Sequence, residues 1–297
     1  MAYGKDSFYE GEILMQMLFI FINAVIIVGF LILITVLYRG RARKVLVDDI
    51  TIAYRQYGSG MPLVLIGGYG STMSVWQRSF VSLLAARYRV IIFDNRGMGQ
   101  STLGLKDYTV QQCAQDTKGL LDKLHISSAY VFGYSMGASI AQELVLKYPA
   151  MVKKLILGGA NALGKGQMKP LVRKSLADLS GSNRALWMRK LKLIFPEKWL
   201  KQHTYLMKLH VTFNRHVMKK QIEALENWEG TKNRLKNIKI PTLLLVGQED
   251  IVTPPANALF MAQYIKGAWL AQFEECGHGL IGQEPYKVGH VIKAFLS

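Results

Sequence analysis

Cysteine is almost missing from this sequence of 297 residues, with Cys113 and Cys276 standing alone. Two thiols cannot build a disulfide framework or a cysteine-rich zinc site, and they suit a reducing compartment. Acidic side chains are scarce too, 20 against 37 Lys and Arg, which leaves a formal net charge of +17. There is no internal repeat or low-complexity tract. Glycine, proline and apolar contents near globular averages exclude a collagen-like or disordered chain. The sharpest absence is local: residues 13–38 contain no Lys, Arg, Asp or Glu.

A helix over that run would be about 39 Å long, against a bilayer hydrocarbon core of roughly 30 Å. A cleaved signal peptide would need a basic start and a shorter apolar stretch, whereas residues 1–12 are net acidic. Arg39, Arg41, Arg43 and Lys44 crowd the far end instead. The positive-inside rule then keeps that end cytoplasmic. The expectation is a short tail (1–12), a single-pass transmembrane helix (13–38) and a cytoplasmic domain (39–297). A buried core helix is the alternative, and the length and the lack of a polar face weigh against it. Gln16 and Asn23 are tolerable singly inside such a span.

Residues 39–297 hold 36 basic and 17 acidic side chains, a net of +19. Short apolar, β-branched runs alternate there with helix-like stretches, the pattern of a mostly parallel sheet covered by helices. Strands are expected at Lys44–Val47, Ile50–Tyr57, Leu63–Ile66, Val90–Asp94, Ala129–Tyr134, Lys154–Gly158, Thr242–Gly247 and Trp269–Glu274. Helices are expected at Met73–Ala86, Val110–Leu124, Met136–Lys147, Pro255–Ile265 and Pro285–Phe295. Thr109 and Gln112 suit a capping box before the second of these. The alternation breaks between about 160 and 240. Residues 162–235 carry 16 Lys/Arg and 5 Asp/Glu and have helical periodicity, so a basic helical lid over the sheet's carboxyl edge is expected.

Gly133-Tyr134-Ser135-Met136-Gly137 falls between a predicted strand and a predicted helix. A serine on so sharp a turn is exposed, the flanking glycines remove the collision between the two arms, and the helix amino end favours negative charge at the hydroxyl. That hydroxyl needs a base. Of the six histidines, His203, His210 and His216 lie in the basic lid, His125 ends a helix and His290 sits within one. His278 follows an apolar strand in Glu275-Cys276-Gly277-His278-Gly279. An orienting acid is expected after another strand, and Asp250 in Gly247-Gln248-Glu249-Asp250 suits it, with Glu249 the adjacent alternative. Oxyanion donors would be the Met136 N–H and, from Gly67-Gly68-Tyr69-Gly70, the Tyr69 N–H. The bland readings are a solvated loop histidine at 278, a solvated carboxylate at 249 and a simple glycine turn at 67–70.

Taken together these residues resemble the α/β-hydrolase superfamily over essentially all of residues 45–297. Asp94-Asn95-Arg96-Gly97-Met98-Gly99-Gln100-Ser101 is similar to its Asp-x-Arg-Gly-x-Gly-x-Ser turn, and Pro241–Asp250 to its acid-bearing strand and loop. The resemblance implies an eight-stranded sheet, a helical cap between the sixth and seventh strands, and no cofactor or metal. Serine at 135 argues against the dehalogenase and epoxide-hydrolase branches, which use aspartate there. Gly67 stands where the family commonly has histidine.

The expected function is a membrane-anchored serine hydrolase cleaving an acyl ester or thioester, esterase- or lipase-like. A sensor or signalling protein on the same fold is the alternative, as is a non-hydrolytic lyase or perhydrolase. Arg184–Lys201 interleaves Trp187, Leu191, Ile194 and Trp199 with basic residues, which suits an interfacial helix beside anionic lipid or an ordinary amphipathic helix. Nucleic acid is not expected as a partner, because no recognition module accompanies the charge. Cys276, two residues before His278, is read as a small buried residue rather than a redox switch.

Overall fold

A computed structural model describes residues 17, 21–23, 42–164 and 169–297. Residues 1–42 and 43–297 form separate compact units. In the first, Met17 and Phe21–Asn23 are helical and exposed. The rest of the expected tail and span lies outside the described residues. Among the described residues no helix is long and apolar enough to cross a membrane.

In the second unit the apolar runs become strands β1 (Arg43–Val47), β2 (Ile50–Tyr57), β3 (Pro62–Ile66), β4 (Arg89–Phe93), β5 (Ala129–Tyr134), β6 (Val152–Gly158), β7 (Thr242–Gly247) and β8 (Trp269–Phe273). They form one eight-stranded sheet in the order β1-β2-β4-β3-β5-β6-β7-β8. The β1–β2 and β2–β4 pairs are antiparallel and every later pair is parallel. Central strands of such a sheet are covered on both faces, so their sequences run apolar without alternation. Leu63, Val64, Leu65 and Ile66 are accordingly all fully buried. At the edge the alternation returns, with Leu46 exposed and Val47 buried.

The covering helices are α1 (Arg78–Ala85), α2 (Val110–Lys123) and α3 (Met136–Lys147). Thr109 caps α2 by accepting from the Gln112 N–H at 2.9 Å. The Gln112 side chain turns to Asp116 at 3.0 Å, so that cap is one-sided. Met73–Ala86, expected as one helix, is a 3₁₀ turn at Met73–Val75 followed by α1. The Met73 N–H is taken by Asp94 Oδ1 at 2.6 Å, and Trp76 swings out in extended conformation to pack on Phe80 and Phe132.

Between β6 and β7 the chain forms α4 (Pro170–Ala177), α5 (Asn183–Ile194), α6 (Glu197–Gln202) and α7 (Arg215–Asn227), the cap. The expected interfacial helix over Arg184–Lys201 is two helices, interrupted at Phe195–Pro196 because proline cannot donate into a helix. Its lipid-facing reading is corrected, since its apolar side is consumed inside the domain. Leu186, Leu191, Leu193 and Leu200 are buried, the Trp187 indole donates to the Leu206 carbonyl at 2.7 Å, and Trp199 stacks between Phe195 and His203. The chain closes with α8 (Pro255–Tyr264), a short α9 (Leu280–Gln283) and α10 (Pro285–Leu296).

The turn after β4 is locked by charge. Arg96 is buried and all five of its N–H donors find acceptors. Nε and Nη2 meet the two oxygens of Asp116 at 2.6 and 2.8 Å, Nη2 also meets Asp49 at 3.2 Å, and Nη1 reaches the carbonyls of Leu103 and Lys106. Ser101 Oγ donates to the Asp94 carbonyl and accepts from the Ala53 N–H. The neighbouring Asn95 amide donates to the Gly67 carbonyl at 3.1 Å, which ties this turn to the loop after β3.

Candidate active site

Ser135 joins β5 to α3 with φ +56° and ψ −121°, a strained backbone for a residue with a side chain. The turn is tight enough that a Cβ at Gly133 would lie 2.2 Å from the Gly137 carbonyl oxygen, and one at Gly137 would lie 2.0 Å from that of Ile66. Only glycine fits either place. The Ser135 N–H is held by the Gly158 carbonyl of β6 at 2.8 Å, so the elbow is fixed by the sheet as well as by its own turn.

The loop after β8 brings His278 over this elbow. Its Nε2 lies 2.9 Å from Ser135 Oγ and its Nδ1 lies 2.7 Å from Asp250 Oδ2. A carboxylate only accepts, so Nδ1 carries the proton and Nε2 turns its lone pair to the serine hydroxyl. Asp250 and His278 are both buried, whereas Glu249 is exposed and contributes its backbone N–H to the Cys276 carbonyl. Asp250 Oδ1 accepts from the N–H groups of Val252 and Thr253, both at 2.8 Å. Thr253 Oγ1 donates to Asp250 Oδ2 at 2.8 Å and stands 3.2 Å from His278 Nδ1. Sequence reasoning missed this threonine, although a hydroxyl residue three places after an aspartate is a recognisable turn signature. The Tyr134 hydroxyl donates to the His278 carbonyl and steadies the loop; burial pushes that phenol well above its usual range.

Met136 opens α3, so its N–H is one of the helix's unpaired first donors. Opposite it the loop after β3 passes so close that a Cβ on Gly68 would sit 3.0 Å from the Ser135 Cβ. Tyr69 follows, and the cap holds this loop in place. The Tyr69 hydroxyl donates to the Leu176 carbonyl of α4 at 2.9 Å, and Gln221 Oε1 of α7 accepts from the Gly70 N–H at 2.7 Å. The cap also holds the histidine loop, since the Gly279 N–H donates to the Ile194 carbonyl of α5 at 2.7 Å.

The other histidines stay away from Ser135 Oγ. His203 stacks on Trp199, His290 bonds the Tyr286 carbonyl, His125 and His216 are exposed, and His210 lines the cavity wall. Cys276 is buried, and burial pushes its thiol up to about 11, away from the thiolate a redox switch would need. Ser135, His278 and the loop at Gly67–Ser71 open into a cavity of about 1830 Å³ roofed by the cap. Among the described residues no cluster of three or more His, Cys, Asp or Glu could hold a metal ion.

A putative non-heme bromoperoxidase, BpoC, of Mycobacterium tuberculosis is 30% identical over 259 residues, covering 84% of this chain and 98% of that protein. A putative carbamate hydrolase, RutD, of Azorhizobium caulinodans is 26% identical over 256 residues, covering 83% and 95%. The crystal structure of a membrane phospholipase A matches with a TM-score of 0.73 at 23% identity, covering 98% of this chain and 97% of that one. The model of the family described as serine aminopeptidase, S33, matches residues 61–285, and the chain belongs to that family of α/β-hydrolases.

Proposed function

We propose that the protein is a membrane-tethered serine hydrolase acting on an acyl ester or thioester. The observation that carries the reading is the unbroken relay from Asp250 through His278 to Ser135 Oγ, opening into a large covered cavity. In this reading Ser135 attacks the carbonyl carbon while His278 takes its proton, and Asp250 steadies the imidazolium that results. The N–H groups of Tyr69 and Met136 receive the oxyanion. His278 returns the proton to the departing oxygen or sulfur, and water then releases the acyl group from Ser135. A carbamate, the class named for RutD, would be attacked through the same steps.

The tether rests on residues 13–38, which carry no charged side chain, and on the basic residues that follow them. The hydrolase domain would then face the cytoplasm.

One experiment addresses chemistry and tether together. A fluorophosphonate probe should label the full chain in carbonate-washed membranes, and Ser135→Ala should remove the label. Undiminished labelling of the variant overturns the nucleophile, and label that washes off the membranes overturns the tether. Thr253→Val should lower kcat about three- to tenfold on 4-nitrophenyl butyrate, the worth of one hydrogen bond of about 1 kcal/mol. An unchanged kcat would show that the backbone amides at 252 and 253 hold Asp250 unaided.

A further inference from the structure

An ammonium group drawn out of water needs a compensating partner. Lys190 of α5 sits in the cavity wall with Nζ 4.1 Å from the ring centroid of Tyr69 and 5.8 Å from that of Phe213. Both rings offer it their electron-rich faces, a partial substitute for an anion. Its sequence neighbour Arg189 pairs with Asp178, but among the described residues no carboxylate pairs with Lys190. Burial alone pushes the ammonium down to about 8, with no charged group contributing, so at neutral pH it remains mostly charged and uncompensated. The wall as a whole leans the same way. Five Lys and Arg side chains line it against two glutamates; Arg173 and Glu226 pair with each other at 2.6 Å, which leaves four basic side chains against Glu223.

We propose that Lys190 is a specificity residue that binds an anionic oxygen group, carboxylate or phosphate, carried by the substrate away from the scissile carbonyl. The preferred substrates are therefore acidic esters. This rests on the serine-hydrolase reading and narrows its substrate class. Tyr69 links the two events, its N–H assigned to the oxyanion and its ring under the lysine. In a cavity with apolar walls such an ion pair is worth far more than at a surface. It is made before and during attack alike, so it acts mainly through KM.

The test compares matched acidic and neutral esters. Mono-4-nitrophenyl glutarate is set against 4-nitrophenyl valerate for a carboxylate. Lysophosphatidylglycerol is set against lysophosphatidylcholine of the same acyl chain for a phosphate that lacks a neutralising choline. The wild type should prefer the acidic member of at least one pair. Lys190→Gln should cut that ratio of kcat/KM by at least about tenfold, the worth of a charge-assisted hydrogen bond, while Lys190→Arg keeps most of it. No preference in either pair overturns the proposal without recourse to any variant, as does a preference that survives Lys190→Gln. Equal losses on both members of a pair would make Lys190 a prop for Tyr69 and also overturn it. Fluorophosphonate labelling of Ser135 reads the hydrolase proposal separately: a labelled protein without selectivity sinks only the anion site.

Discussion

Alanine at position 135 or at 278 is expected to lower kcat on 4-nitrophenyl butyrate by about ten-thousand- to a million-fold. Either change removes one end of the contact between Ser135 Oγ and His278 Nε2. Without the imidazole the hydroxyl keeps its proton, and without the hydroxyl the imidazole has no nucleophile to activate. Because the two act as one unit, the double variant should be little worse than either single one. The residual rate would come from the oxyanion donors and binding. Steady-state assays with active-site titration, on protein shown to be folded by circular dichroism, check this. Losses that multiply in the double variant would mean that the two side chains act independently, and the relay would have to be abandoned.

Arg96→Ala is expected to produce the largest loss of stability, about 3–5 kcal/mol, read from the midpoint of chemical unfolding. The guanidinium is buried beside a buried Asp116, and its removal leaves that carboxylate with the Gln112 amide as its remaining side-chain donor. The double change Arg96→Ala/Asp116→Ala should recover part of the loss, since the stranded charge departs with its partner. A shift below about 1 kcal/mol would show that the turn holds through Asp94 and Ser101 without the ion pair.

The strands were legible because buried parallel strands must be nearly all apolar and turn residues bound them. Expected and observed ends differ by at most two residues, and β2, β5 and β7 coincide. The elbow at Ser135 was legible because only glycine fits at 133 and 137, and such a constraint leaves a mark in sequence. What escaped depends on contacts across long stretches of chain. The break at Trp76 is set by Asp94, 18 residues on, which takes the Met73 N–H. The choice between Asp250 and Glu249 is geometric, since the imidazole meets only the former. That Leu191 would be buried, Trp187 would line the cavity and Trp199 would stack between Phe195 and His203 depended on packing within the cap. The meeting of Lys190 with Tyr69 and of Gln221 with Gly70 joins segments more than 100 residues apart, and no local periodicity encodes it.

Those hydrogen bonds from α4, α5 and α7 to the loops at Tyr69 and Gly279 limit how such a protein can be re-engineered. A chimera that imported the helices of a homologue would arrive without the Gln221 side chain at the Gly70 amide, and with a foreign carbonyl facing Gly279. The transplant would disturb the reaction centre even if it packed well. Grafting a new preference for substrates therefore means moving helices and both loops as one cassette.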